Sequence, residues 1–374
     1  MASQLMDSPN PLRIAVLAHL HHPIRSPYAG GMEAHTAHLV SHLGSRGHEV
    51  ILFAKEGSEQ LSPQSRVRIH PVLAHSFVVN GYPDEDQRND QHLLLDAAMD
   101  KAVQTIRTGE FDVVINNSLS PIPHAQLRGI PVLHILHTPP LPRIVAQLKT
   151  EKTDPLHRYA TVSESNAALW RPWLEQLQVV SNGINLDFWA TQNTCHVELG
   201  TAAWSGRITP EKGTHLAIEA ARANGLRLFI AGPIQDQEYF DNLIAPKLGE
   251  RTVYAGHLDQ GGLRELIGAS EVFISSPLWE EPFGLTTLEA MACCTPVAAT
   301  PAGAMAELLG TTGGAIASES TAEALGVAVG HARSMDRAAV LARASRFTHE
   351  LMIQTYESMM NEILDEAFST RAQR

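Results

Sequence analysis

Apolar residues in this chain fall into short β-rich runs separated by stretches in which they recur every three or four positions. Alternation of the two patterns predicts parallel sheets covered by helices. In the first half the strands are expected at 13–18 ("RIAVLA"), 49–54, 112–116, 131–136 and 158–163, with amphipathic helices at 32–45 and 90–107. The second of these helices places Leu93, Leu94, Ala97, Ala98, Ala102 and Ile106 roughly on one side. The segment "VVSNGINLDFW" (179–189) reads as an exit from this unit, turning at Asn182-Gly183. A second series follows at 202–207, 226–232, 253–257, 271–276 and 296–300, with helices at 214–223, 263–269, 285–292 and near 302–309. A last long helix, about 348–368, lies far enough along to cross back to the first unit. The expectation is an α/β chain of two Rossmann-like parallel-sheet domains: 1–184, 185–347, and a C-terminal helix (348–374) packing back on the first. Ligands of open α/β sheets bind beyond the carboxyl ends of the strands, so two facing sheets would make an interdomain cleft.

Composition fits two packed domains: 374 residues, 44% hydrophobic and 18% charged. The net charge of −12 argues against nucleic acid as a partner. That acidity is uneven, with 15 Lys+Arg against 17 Asp+Glu in residues 1–185 and 13 against 23 in the remainder. The cysteines, Cys195, Cys293 and Cys294, have no zinc-ligand spacing and read as reduced thiols. The polar start before "LRIAVLAHL" resembles neither a signal peptide nor a membrane span, so a cytoplasmic protein is expected.

Chemistry concentrates in "SSPLWEEPFGLTTLEAMACCTPVAAT" (275–300). Glu281 falls on a loop after a strand, and Glu289 follows in a helix among Leu288, Ala290, Met291 and Ala292. The helix start offers free N–H groups at Gly284, Leu285 and Thr286, an anion site. A carboxylate can accept from vicinal hydroxyls, so the set suits a hexose, a phosphate and a ribose diol. "WSGRITPEKGTH" (204–215) adds Arg207 and Lys212, which could close on a diphosphate. Each feature also has a plain reading: a helix-dipole acid, a core-edge glutamate, two solvated cations at a turn. The joint spacing favours the nucleotide-sugar layout.

"SGRITPEKG" together with "EEPFGLTTLEAMACCTPVAAT" resembles the retaining glycosyltransferases of family four, which have the GT-B fold. Further matches are "YAGGMEAHTAHLVSHLGSRGHEV", "TVSES", "SNGINLDFW" and "YAGHL", so the likeness runs from Leu12 to about Phe347. The resemblance implies a metal-independent hexosyltransferase using a nucleotide-diphosphate sugar, with a UDP-hexose the first donor to consider. It also implies that Glu281 and the N–H groups of Phe283, Gly284 and Leu285 hold the donor hexose. Glu289 would hold the ribose, Arg207 and Lys212 the diphosphate, and the main chain of His257–Leu258 the base. Gly30-Gly31 would let the first loop approach the phosphates without a side chain. His137 would stand beside the anomeric carbon; read without the resemblance, it is a structural histidine before Thr138-Pro139-Pro140.

Other features point elsewhere and carry less. "HLHH" (19–22) suggests a metal but lacks a matched carboxylate, and Asp84-Glu85-Asp86 has the form of a metal clamp on an otherwise unsupported architecture. No two glycines stand two apart and no Gly-Lys occurs, which excludes G-x-G-x-x-G and P-loop motifs. A non-catalytic sugar-binding protein, a glycogen-synthase-like polymerase and a sugar-nucleotide epimerase share the two-lobed plan. The first domain shows no basic amphipathic helix, which favours a small-molecule or glycan acceptor over a lipid. No metal and no cofactor are expected.

Overall fold

The structure is a computed structural model and describes residues 11–59, 66–74, 85–150, 153–190 and 197–372. The chain builds β1 (Arg13–Ala18), β2 (Glu49–Lys55), β3 (Val67–Leu73), β4 (Val113–Asn117), β5 (Val132–Leu136), β6 (His157–Thr161) and β7 (Gln178–Val179). These pair in the order β3-β2-β1-β4-β5-β6-β7. It then builds β8 (Glu198–Ser205), β9 (Arg227–Ala231), β10 (Thr252–Gly256), β11 (Ser270–Ser275), β12 (Val297–Ala299) and β13 (Gly314–Ile316), in the order β10-β9-β8-β11-β12-β13. Strand pairs in both sheets are parallel, as the alternation with helices requires.

Each central strand is apolar throughout because helices cover both sheet faces. In β1, Ile14, Val16 and Ala18 join one buried cluster, and Ala15 and Leu17 join another on the opposite face. The helix His349–Ala372 seals the first cluster with Met352, Ile353, Tyr356, Met359, Met360 and Ile363. It is fastened to the first domain by Arg46, which donates to both carboxylate oxygens of Glu357 at 2.7 and 2.8 Å. The chain passes between the domains twice, and the two passages meet in a parallel bridge between Ile184 and Thr348.

One strand and one helix depart from the expected pattern. β3 is an edge strand in which Val67 alone is fully buried and Pro71 interrupts the ladder donors, so it carries no apolar run. The helix expected at 90–107 spans Glu85–Thr108 and faces the sheet with Leu95, Met99, Ala102, Val103 and Ile106. Leu93 and Leu94 are 68% and 55% exposed, so the anticipated stripe was rotated from the real one. Cys293 and Cys294 form no disulfide among the described residues, as expected, while Cys195 lies outside them. No helix among the described residues is long and apolar enough to cross a membrane.

Candidate active site

The two sheets point their strand ends at a common cleft of about 430 Å³. From the second domain, β8 delivers Arg207 and the one-turn helix Pro210–Lys212 delivers Lys212. Arg207 donates to Gln235 at 3.0 Å and stands 3.7 Å from Glu211. Lys212 Nζ reaches Glu281 Oε2 at 2.5 Å, and the Trp279 indole N–H donates to the same oxygen at 2.8 Å. The ammonium also stands 5.2 Å from the Trp279 ring centre, a cation–π distance. Behind this loop, the Ala304 N–H donates to the Glu281 carbonyl at 2.9 Å. Gly303, at φ 56°, makes that approach possible: a Cβ there would lie 2.2 Å from the Glu281 carbonyl oxygen.

The helix Leu285–Ala292 begins after Gly284 (φ 91°), with no side chain capping its first N–H groups, so they remain available to a ligand. Glu289 sits in this helix between fully buried Leu288 and Ala290. Its Oε2 is buried without a hydrogen-bond partner, and burial raises the carboxyl to about 8. A buried acid of this kind is rarely left unsatisfied without a functional reason. Glu289 lines the cleft, as do Phe283, Gly284, Leu285 and Thr286.

From the first domain come Gly30 and Gly31, at the start of the helix Gly31–Ser45, and His137, just beyond β5. The two domains touch here: a Cβ on Gly31 would stand 3.1 Å from Leu285 Cδ1. Burial lowers the His137 imidazole to about 3, so it is neutral near pH 7. Asn117 holds it. The Asn117 amide N–H₂ faces His35 and Thr36, and its Oδ1 accepts from His137 Nε2 at 3.1 Å. His257 follows β10 and donates from Nε2 to the Tyr28 carbonyl at 3.0 Å, bridging the domains beside Leu258. Every residue singled out for the site from the sequence therefore lines one cavity.

Two family models match in tandem: "Glycosyltransferase Family 4" over residues 29–188 and "Glycosyl transferases group 1" over residues 198–333. The chain belongs to family four of the glycosyltransferases. A D-inositol 3-phosphate glycosyltransferase of Mycobacterium avium is 25% identical, covering 95% of this chain and 96% of its own. Among solved structures, sucrose-phosphate synthase from Thermosynechococcus elongatus superposes with a TM-score of 0.76 at 18% identity, covering 95% of this chain and all of the other. Anabaena HepE, solved with UDP and glucose, gives 0.69 at 17%, covering 94% and 100%. These structural neighbours share the GT-B architecture with this glycosyltransferase.

Some site residues of this glycosyltransferase escaped the sequence reading. Trp279 orients Glu281, and Asn117 orients His137. Glu307 reaches across the domains to accept from the N–H groups of Glu164 and Ser165, at 2.9 and 3.3 Å, capping the helix Glu164–Trp170. "HLHH" does have a carboxylate partner, since His19 Nε2 lies 3.2 Å from Glu33 Oε1. No group of three or more His, Cys, Asp or Glu among the described residues is placed to hold a metal. The Asp84-Glu85-Asp86 side chains lie outside the described residues.

Proposed function

We propose that this glycosyltransferase moves a hexose from a UDP-sugar to an acceptor hydroxyl, with retention of anomeric configuration and without a metal ion. The observation that carries the reading is Glu289: a buried carboxyl with an unpartnered oxygen, in the same cavity as Arg207, Lys212 and an uncapped helix start. A ribose diol supplies the donors that Glu289 lacks. The first-turn N–H groups and the two cations suit a diphosphate. Glu281, already oriented by Trp279 and Lys212, is poised to accept from hexose hydroxyls. HepE, described with UDP and glucose, supports UDP-glucose as the first donor to test.

Breaking the bond from the anomeric carbon to the diphosphate builds negative charge on the leaving oxygens and positive charge on the sugar. Preorganised donors at the leaving group account for about 10²–10³ in rate per strong contact. Arg207, Lys212 and the helix Leu285–Ala292 fill that role here. The neutral His137, fixed by Asn117, stands on the opposite wall as a hydrogen-bonding group beside the anomeric carbon. The acceptor attacks from the face the diphosphate leaves, and a leaving phosphate oxygen takes the acceptor proton. Such chemistry belongs where nucleotide sugars are made, in the cytoplasm. Incubation with UDP-, GDP- and ADP-glucose, reading nucleoside diphosphate release and the product's anomeric proton by NMR, tests the reading. Inversion at the anomeric carbon would refute the same-face mechanism, and release from none of the donors would refute the activity.

A further inference from the structure

The wall of the cleft opposite the donor groups carries a second polar constellation. His19 leaves the end of β1, and Glu33 occupies the first turn of the helix Gly31–Ser45, which packs over that strand end. Both are buried, at 5% and 3% exposure, yet both line the cavity. His19 Nε2 faces Glu33 Oε1 at 3.2 Å, whereas His19 Nδ1, His21 Nδ1 and Asn182 Oδ1, all buried on this cavity, make no hydrogen bond. Buried polar atoms without partners are uncommon, and several converging on one cavity describe a site for a polar ligand.

This wall presents a carboxylate and, among the described residues lining the cavity, no Arg or Lys of the first domain. Burial alone would raise the Glu33 carboxyl, but the facing His19, with His22, outweighs it and holds the acid at about 2, so Glu33 is a carboxylate at all working pH values. Burial lowers His21 and His137 to about 3, and lowers His22 as well, so these rings are neutral near pH 7. Among the described residues lining the cavity, the Arg and Lys side chains are Arg207 and Lys212, both of the second domain. Lys55 lies behind the wall and donates to the His21 carbonyl.

We propose that Glu33 and His19 form the acceptor subsite, and that it takes an uncharged polyol or sugar and discriminates against a phosphorylated one. The proposal rests on the glycosyl-transfer reading above. Glu33 accepts from acceptor hydroxyls, and the nitrogens of the neutral His21 and His137 rings, with Asn182, supply further acceptors and donors. The reacting hydroxyl forms its bond to the anomeric carbon as the bond to the diphosphate breaks, and its proton leaves on that diphosphate. A phosphomonoester, carrying about −1.5 to −2 at pH 7, would face the Glu33 carboxylate with no first-domain Arg or Lys, among the described residues lining the cavity, to offset it, and such like-charge pairings are selected against.

The test uses the full-length protein with UDP-glucose and matched acceptors: glucose and glucose 6-phosphate, myo-inositol and inositol 1-phosphate, mannose and mannose 6-phosphate. UDP release above the acceptor-free rate is read, with product mass by mass spectrometry. The expected result is hexosylation of neutral members, with kcat/KM at least about tenfold above the phosphorylated partner. Glu33→Gln should lose transfer by about tenfold or more while binding UDP like the wild type, as measured by calorimetry. Preferential transfer to phosphorylated members, or donor hydrolysis with transfer to none of the neutral ones, would overturn the proposal. So would a Glu33→Gln protein with unchanged transfer; if that variant does not fold, the acceptor pairs on the wild type decide alone. A wild-type protein that binds no nucleotide sugar would overturn the glycosyl-transfer reading, and this subsite with it.

Discussion

Replacing Glu289 with Gln separates a ligand-binding acid from a structural one, because the two roles predict opposite signs. The carboxyl is raised from 4.5 to about 8 by burial. Below pH 4.5 the group is protonated in both folded and unfolded chains and costs nothing. Between 4.5 and 8 the folded protein must retain a proton that the unfolded chain has released, so stability is lost progressively as pH rises through this window. Fully expressed, that is about 5 kcal/mol. Because the side chain borders an open cleft, about 1–3 kcal/mol is the realistic range. The isosteric amide never ionises and so escapes this loss. Thermal melts of nucleotide-free protein should therefore show Glu289→Gln matching wild type near pH 4.5 and melting a few degrees higher near pH 8. Above pH 8, where the wild-type carboxyl is ionised, the same variant should bind UDP at least about tenfold more weakly, since a hydrogen bond to a charged group contributes about 1.5–3 kcal/mol. A variant that melts lower than wild type at pH 8 with unchanged UDP affinity would refute the argument.

Glu281→Ala should keep UDP affinity within a few-fold but weaken UDP-glucose and turnover, as measured by calorimetry and UDP release; equal losses for both ligands would misplace it. Arg207→Ala should lower turnover by at least about 10²-fold, and a loss under fivefold would remove it from the leaving-group site. His137→Ala should melt near wild type and reduce kcat more than donor affinity, whereas gross instability would make it a structural residue.

Much of this arrangement was legible because the informative residues lie close in the chain. Glu281, Gly284 and Glu289 occupy one strand–loop–helix segment, so their spacing alone predicts a common surface. The central strands were equally plain, since burial on both faces makes them continuous apolar runs. What escaped depends on partners brought together only by folding. Glu33 looked like one more polar residue on an amphipathic helix until β1 set His19 against it. Asn117 ends an apolar strand and gives no sign that it steers His137 from the neighbouring strand. Glu307 caps a helix of the other domain, a relation with no local signature. β3 hid for a different reason: an edge strand with a proline and few buried side chains lacks the period that marks a strand.

The central claim is that this cleft holds a nucleoside diphosphate through side chains and a helix start, with no metal between them. Titration of UDP into the protein in excess EDTA, followed by calorimetry, tests it most directly. Saturable binding at one site, unchanged when magnesium or manganese replaces the chelator, is the predicted result. Binding that appears only with the divalent cation, or binding of no nucleoside diphosphate at all, would contradict the account.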